Sequence, residues 1–294
     1  MKVIITGSTG NISKPLTSML VEAGYNVGVI TSSKEKTQEI ETLDAKPLVG
    51  SVLDSGFLQG AFQGADVIYT MIPPNMAAED WKTFIYGVGD AYKQAIKAAG
   101  VKKVVNLSSI GAHLPTGGGL SSLYFYVEQE LNKLEDVAVV HLRPGSFYFN
   151  FFGNIQMIKH MGVIGNNYTA GLLPLTHPLD ISKAAFEEIT ALNFNGKRVR
   201  YVVSDELSTN AIAKELGEAI GKPDLQWVKF RDEDALNGMI QAGLTKDVAG
   251  KLVEMGQAVE SGIAYSDYNE HKPVLSSHKF KEFAKEFALA YANS

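Results

Sequence analysis

The chain contains no cysteine among its 294 residues. Disulfides, thiolate catalysis and metal or cluster sites with cysteine ligands are therefore excluded. No run of apolar residues approaches the length of a membrane span. The first strand pattern begins at Lys2, which leaves no space for a signal peptide. These absences favour a cytoplasmic protein.

Basic clusters are also scarce. The longest runs of positive charge are Lys102-Lys103 and Lys197-Arg198, and the formal net charge is −5. This charge distribution would not attract nucleic acid or an anionic membrane, so we expect neither as a direct partner. The six histidines form no HxH or HxxxH pair, and we predict no metal site.

Strand and helix patterns alternate through the first half of the chain, whose composition is that of an ordinary globular protein. After the first strand pattern, which begins at Lys2, further strands are predicted at Val27–Thr31, Lys46–Val49, Ala65–Ile72, Lys103–Leu107 and Ala138–Leu142. The longest helical pattern between them runs from Trp81 to Ala99 and stops at Gly100, with Gly87 and Gly89 expected to weaken it. Such alternation predicts an α/β fold, a doubly wound parallel sheet of the Rossmann-like kind with helices on both faces.

The alternation stops beyond Pro144. One strand is predicted at Val199–Val203, and the other patterns of this half are helical, at Asp180–Leu192, Asn210–Ile220, Ala235–Ser261 and Phe280–Ala292. We therefore predict a Rossmann-like domain over 1–150 and a smaller, mostly helical lobe over 151–294. The lobe is expected to pack on the first domain and bind the substrate, with a return of 199–203 to the sheet as an option.

A glycine turn directly follows the first strand. Gly7 and Gly10 lie between that strand and a helix pattern that begins near Ser13. In dinucleotide-binding units the first glycine permits a sharp turn, the next lets the backbone approach a pyrophosphate, and the helix N-terminus offers free N–H groups. Ser13 stands where a third glycine would fall, and its hydroxyl could cap the helix or bind a phosphate. This setting predicts a dinucleotide site across Gly7–Ser13.

The end of the second strand bears on the choice of cofactor. Enzymes that select NAD usually carry Asp or Glu there, whereas this chain has Thr31-Ser32-Ser33, with Lys34 and Lys36 nearby. Hydroxyls and a lysine could bind a 2′-phosphate, and no carboxylate at the strand end would repel it. We predict NADP in preference to NAD. The alternative is that both lysines are solvated and contact no ligand.

Several short motifs resemble one known family. The turn Thr6-Gly7-Ser8-Thr9-Gly10-Asn11-Ile12 looks like the T-G-x-T-G-x-x-G of the NmrA-like group, which belongs to the atypical short-chain dehydrogenase/reductase superfamily. Further matches follow in chain order at Gly64–Val67, Ala99–Val105, Leu107–Ser109, Val127–Gln129, Leu142–Pro144 and Pro178–Ile181. The resemblance covers nearly the whole chain and implies an NAD(P)-binding oxidoreductase fold.

The resemblance also implies a set of cofactor-binding positions. These residues are Gly7, Thr9, Gly10, Asn11, Ile12, Ser32, Ser33, Lys36, Ser51, Val52, Met71, Ile72, Pro73, Ser108, Glu128 and Phe147. After the third strand the family usually has Gly-Asp, whereas this chain has Gly50-Ser51-Val52. Ser51 and Val52 are expected beside the adenine.

The proton-transfer residues of short-chain reductases are only partly present. In those enzymes a Tyr-x-x-x-Lys pair works because the lysine lowers the pKa of the phenol. Tyr124 stands at the tyrosine position, but Glu128 stands where the lysine belongs, as is typical of the NmrA-like group. Because a carboxylate would raise the pKa of the phenol, we interpret Tyr124, the one candidate catalytic residue, as more plausibly a pocket wall than an acid–base group.

Two other features have two interpretations each, and two histidines have one. The aromatic run Phe147–Phe152 could line a pocket for a flat substrate or belong to the core. His113 could reach the nicotinamide as a proton donor or be a loop residue without chemistry, and the second is favoured. His177, with Pro178 and Asp180, is interpreted as a turn and helix cap, and His141 as a core residue.

Two functions remain open. The first is an NAD(P)H-dependent oxidoreductase that transfers hydride to a small quinone-like or carbonyl compound. A quinone suits the missing lysine because its reduced product is aromatic and needs less help from a protein acid. The second is a non-catalytic redox sensor that binds the dinucleotide and acts through a protein partner.

Overall fold

The structure is a computed structural model that describes residues 1–75 and 78–294. It contains two compact units. The first consists of Met1–Ser109, Leu123–Arg143 and Ile181–Arg200, and the second of Ile110–Ser122, Pro144–Asp180 and Tyr201–Ser294. The units therefore interleave along the chain instead of dividing it at one position near residue 150.

The described strands lie mostly in the first two thirds of the chain. They are β1 (Lys2–Ile5), β2 (Asn26–Thr31), β3 (Lys46–Val49), β4 (Val67–Thr70), β5 (Lys103–Leu107), β6 (Ala138–Pro144), β7 (Ser146–Phe147), β8 (Ile164–Asn166), β9 (Leu173–Thr176), β10 (Lys197–Val202), β11 (Asp205–Leu207) and β12 (Trp227–Lys229).

The helices connect these strands and dominate the C-terminal third. They are α1 (Ser13–Glu22), α2 (Thr37–Glu41), α3 (Ser55–Phe62), α4 (Trp81–Ala99), α5 (Leu120–Asn132), α6 (Ile155–Met161), α7 (Pro178–Ala191), α8 (Thr209–Ala219), α9 (Asp232–Gln241), α10 (Lys246–Glu260), α11 (Ser266–Glu270) and α12 (Phe280–Ala292). Short 3-10 turns lie at Lys34–Lys36, Tyr148–Asn154 and Ile263–Tyr265. Among these described helices, none has both the length and the apolar character needed to cross a bilayer.

The main sheet has seven strands in the order β10-β6-β5-β4-β1-β2-β3. Strands β1 to β6 pair in parallel, so their order is that of the doubly wound dinucleotide-binding fold, 3-2-1-4-5-6. This confirms the predicted fold class. The strand order reverses between β1 and β4, which is where such sheets bind ligands beyond the carboxyl ends of the strands. Strand β10 occupies the edge beside β6.

Local signals explain the longest helix, α4. Asp80 caps its N-terminus by accepting a hydrogen bond from the amide of Thr83 (3.1 Å), and Gly100 ends it in the left-handed conformation, as predicted. Gly87 and Gly89 do not interrupt it. A Cβ at Gly89 would lie 3.2 Å from Val127 Cγ2, so this glycine lets α5 approach α4 closely.

The second unit contains more strand than the sequence indicates. Its two small sheets have the orders β11-β9-β7 and β12-β8. These strands are two to four residues long, too short to show an alternating pattern. The predicted helical stretch Ala235–Ser261 divides into α9 and α10 around Gly243, which has φ +96°.

The aromatic run belongs mainly to the core of this unit. Tyr148 is fully buried, and its ring packs edge-on against Phe280 of α12 at 5.1 Å between centroids. Phe152 stacks on Phe287 of the same helix at 6.0 Å. The core interpretation of these rings therefore describes them better than the pocket interpretation.

A buried polar chain crosses the first unit. Asn106 accepts a hydrogen bond from Thr70 (2.9 Å) and donates one to Nδ1 of His141 (3.1 Å), whose Nε2 then donates to Asn132 (3.0 Å). Only a neutral imidazole satisfies both neighbours in this way. Burial lowers the pKa of His141 to about 4, so the residue is a core histidine, as interpreted from the sequence.

We expect His141 to make folding depend on pH. The neutral ring is favoured in the folded state, so its contribution to stability is complete above the unfolded pKa of about 6.5 and is lost as the pH falls towards 4. The difference in free energy of unfolding between the wild type and His141→Gln should shrink by about 3 kcal/mol between pH 7.5 and pH 4. Urea denaturation at several pH values measures it. The exposed His160→Gln is the control, and a difference that stays constant with pH would contradict the prediction.

Candidate functional site

The turn between β1 and α1 requires glycine at its first position. Gly7 has φ +95°, and a Cβ there would lie 2.4 Å from Ser13 Oγ and 3.0 Å from Met71 Cγ. Ser13 donates its hydroxyl to the carbonyl of Thr6 (2.8 Å), so it ties α1 to β1 and does not cap the helix. The small side chain at this position thus permits close packing of helix on strand.

The same turn suits the phosphates of a dinucleotide. A Cβ at Gly10 would contact only the carbonyl of Gly7, at 3.2 Å. No side chain therefore covers the backbone at Gly10, and a phosphate could approach it closely. Helix α1 has no side-chain cap and no acidic residue in its first turn, which leaves its positive end suited to an anion. Asn11 beside it is exposed and Ile12 is buried. The residues present therefore fit a bound pyrophosphate.

The end of β4 is held against this turn. The amide of Met71 donates to Thr6 Oγ1 (2.8 Å), and the Tyr92 hydroxyl donates to the Met71 carbonyl (2.7 Å). Ile72 is buried and Pro73 is half-buried. Of the predicted residues after β4, Met71 thus lies beside the glycine turn at the switch point of the sheet.

The hydroxyl groups after β2 have different environments. Ser33 caps the 3-10 turn by accepting from the amide of Glu35 (3.2 Å), and Thr31 accepts a hydrogen bond from Ser8 (3.0 Å). Ser32 is exposed. After β3, Ser51 is exposed and accepts from the amide of Leu53 (3.2 Å). Of these predicted residues, Ser32 presents its hydroxyl most openly.

A carboxylate that sequence reasoning missed lies beside the glycine turn. Glu39 of α2 accepts hydrogen bonds from Thr9 (2.8 Å), Lys14 (2.9 Å) and Lys36 (3.0 Å). Lys36, a predicted site residue, therefore forms an ion pair with Glu39, although half of its side chain is exposed. The end of β2 itself carries no acidic residue, as expected, but Glu39 of α2 brings a carboxylate to the glycine turn. The i, i+3 spacing of Lys36 and Glu39 was the available signal.

Glu128 is neutralised by an arginine from the neighbouring strand. Its carboxylate accepts Nη2 (2.6 Å) and Nε (3.0 Å) of Arg143, and Ser108 donates its hydroxyl to it at 2.5 Å. The side chains of Glu128 and Arg143 are only 3% and 8% exposed. Ser108 follows β5 and Arg143 lies on β6, its parallel neighbour, with α5 between them in the chain. The carboxylate and the Ser108 hydroxyl are therefore committed to one another inside the first unit.

Tyr124 is half-buried on α5, one turn before Glu128. Burial raises the pKa of its phenol to about 12. The direction agrees with the expectation from the sequence, but the cause is desolvation, because the charge of Glu128 is balanced by Arg143. At neutral pH the hydroxyl is protonated and a weak acid.

The remaining candidates lie in the second unit. Phe147 is half-buried on β7, which pairs in parallel with β9. His113 has its Nε2 2.9 Å from Ser266 Oγ and its Nδ1 3.4 Å from the carbonyl of Ile110. Nδ1 of His177 accepts from the amide of Leu179 (3.2 Å), which confirms the predicted helix cap. Across residues 1–75 and 78–294, no three His, Asp or Glu side chains are grouped to hold a metal ion.

Comparison with known families and structures agrees with this geometry. Residues 7–140 match the family described as NAD(P)H-binding. A 69-residue segment is 30% identical to 4-hydroxy-2-methyl-3-oxo-4-farnesyl-3,4-dihydroquinoline-1-oxide ketoreductase of Stigmatella aurantiaca. That segment covers 24% of this chain and only 21% of the ketoreductase.

Solved structures show the same fold over almost the full chain. Triphenylmethane reductase of Citrobacter sp. with NADP(H) has a TM-score of 0.80 at 19% identity, covering 97% of this chain and 99% of its own. NADPH-dependent quinone oxidoreductase of Escherichia coli with NADPH has a TM-score of 0.80 at 20% identity, covering 97% and 99%.

The negative transcriptional regulator NmrA with NADP has a TM-score of 0.71 at 13% identity, covering 97% of this chain and 90% of its own. At these identities the likeness concerns the fold. Residues 7–140 are thus similar to the NAD(P)H-binding family, and the chain has the fold of the two reductases and of NmrA.

Proposed function

We propose that the protein is an NADPH-dependent reductase of a small quinone-like or carbonyl compound. The observation that carries this proposal is the environment of Glu128, which stands at the lysine position of short-chain reductases. Its carboxylate is bound by Arg143 and Ser108, so this position supplies no cation to the phenol of Tyr124. NADPH, when bound, supplies a hydride. The chain binds and orients the reactants, and it offers Tyr124 only as a weak acid with a pKa of about 12.

A quinone fits this arrangement best among hydride acceptors. Its reduction produces an aromatic ring, so the driving force is large and a strong protein acid is not needed. A simple ketone or aldehyde depends more on a proton donor with a pKa near the working pH. The similar structures named as quinone and dye reductases support this class of acceptor.

The second candidate function is a redox sensor that binds NADPH and acts through a protein partner. The closed Ser108–Glu128–Arg143 contact also supports it, since a sensor needs no proton donor. One experiment separates the two functions. NADPH consumption is followed by absorbance against a panel of quinones and aldehydes. Oxidation with a quinone supports the reductase. Tight NADPH binding without oxidation by any acceptor supports the sensor.

We expect Gly10→Val to abolish dinucleotide binding. The Cβ would already lie 3.2 Å from the Gly7 carbonyl, and the two methyl groups would occupy the space of a pyrophosphate. Calorimetric titration with NADPH measures the effect. The control is Gly60→Val, on an exposed position of α3 where a Cβ meets nothing within 4 Å. If the folded Gly10 variant bound NADPH as tightly as the wild type, the cofactor site would lie elsewhere.

We expect the wild type to bind NADPH more tightly than NADH and Ser32→Asp to reverse this order. Ser32 is the exposed hydroxyl at the end of β2, and a carboxylate there would repel a 2′-phosphate. Ser32→Asn introduces a side chain of the same size as aspartate but without its charge, and this variant should still bind NADPH more tightly than NADH. Equal affinities of the wild type for the two cofactors, measured by calorimetry, would contradict the prediction.

We expect Tyr124→Phe to change the steady-state kinetics only severalfold, with most of the change in substrate affinity and little in turnover. A positioned general acid usually contributes about a hundredfold or more, whereas this phenol has a pKa of about 12 and lacks the lysine. Steady-state kinetics with an identified acceptor measures the change. Tyr126→Phe, which loses a hydrogen bond to Asp90 (2.9 Å), is the control for removing a hydroxyl from the same helix. A hundredfold loss of turnover with unchanged affinity would identify Tyr124 as the proton donor.

A further inference from the structure

Donors from three separate segments meet on the carboxylate of Glu39. Thr9 belongs to the glycine turn, Lys14 to the first turn of α1, and Lys36 to the 3-10 turn after β2. Lys14 bonds Oε1, and Thr9 and Lys36 both bond Oε2, all at 2.8 to 3.0 Å. A hydroxyl and two ammonium groups around one anion are the donors that also bind phosphate.

This cluster lies where doubly wound folds bind the phosphate groups of a dinucleotide. In doubly wound sheets the helix after β1 faces the pyrophosphate, and the end of β2 faces the ribose that bears the 2′-phosphate of NADP. Lys14 comes from the first of these segments and Lys36 follows the second. The carboxylate of Glu39 therefore lies between two cations that a 2′-phosphate would also engage.

Glu39 is ionised at neutral pH. Hydrogen bonds from Lys14, Thr9 and Lys36 lower the pKa of its carboxyl to about 2. The side chains of Glu39, Lys14 and Lys36 are 32%, 48% and 51% exposed. The two ion pairs are thus screened by water and can be exchanged for other partners.

We propose that Glu39 is a specificity-determining residue that competes with the 2′-phosphate of NADPH for Lys14 and Lys36. This inference rests on the proposed function. A bound 2′-phosphate either displaces the carboxylate or lies beside it with like-charge repulsion, and both weaken NADPH binding. NADH carries a hydroxyl at this position, which can donate to a carboxylate. Glu39 therefore narrows the preference for NADPH over NADH.

The test compares Glu39→Gln with Glu41→Gln. Both lie on α2 and lose one negative charge, but the side chain of Glu41 is exposed and outside the cluster. Calorimetry measures the affinities of each protein for NADPH and NADH, and for 2′,5′-ADP and AMP as fragments that differ by the same phosphate. For Glu39→Gln the ratio of NADPH to NADH affinity should rise roughly threefold to tenfold, the range for two exposed ion pairs. For Glu41→Gln it should change less than twofold.

The Lys14→Gln background ties the effect to the cluster. Removing Glu39 should gain clearly less NADPH affinity there than in the wild type, because one of the contested cations is gone. An unchanged or lower NADPH-to-NADH ratio in Glu39→Gln, or an equal rise in Glu41→Gln, overturns the inference while wild-type binding of NADPH leaves the proposed function standing. Absence of NADPH and NADH binding to the folded wild type overturns both.

Discussion

The first turn of the chain is the constraint on which the site depends. Gly7 adopts φ +95° with no room for a side chain, because Ser13 Oγ and Met71 Cγ fill the adjoining space. Thr6 completes the arrangement by accepting Ser13 at its carbonyl and the amide of Met71 at its hydroxyl. These contacts bind β1, the start of α1 and the end of β4 together. The backbone of the turn is then positioned at the strand-order reversal of the sheet, the place where doubly wound sheets bind dinucleotides.

The buried pair of Glu128 and Arg143 determines which chemistry the first unit offers. A carboxylate that is 3% exposed requires a cation and full hydrogen bonding, and Arg143 and Ser108 provide both. The position that carries a lysine in short-chain reductases with the Tyr-x-x-x-Lys pair is here a closed structural contact. Tyr124 consequently keeps the high pKa that burial imposes. Under the proposed function, catalysis would rely on positioning and on an acceptor that is easily reduced.

Much of the first unit was predictable from the sequence. Most strands of the parallel sheet are compact apolar runs, and Gly100 stops α4 where predicted. Both signals depend on residues that are close together in the chain. The predicted ends of these elements were less accurate, since β4 spans Val67–Thr70 where the sequence predicted Ala65–Ile72. The short strands of the second unit were missed because strands this short carry no periodic signal of their own and form only where a partner strand lies alongside.

The sequence by itself therefore determined the strand–turn–helix unit, the doubly wound fold and the presence of Glu128 in place of a lysine. Each of these depends on residues close together in the chain. Only the tertiary structure decided where charges are paired. Arg143 on β6 reaches Glu128 on α5, the helix that connects the parallel neighbours β5 and β6. Glu39 reaches Thr9 and Lys14 because α2 lies against the glycine turn. Such contacts join residues far apart in the chain. For the buried pair of Glu128 and Arg143, the cost of desolvation enforces the pairing only once the first unit is folded.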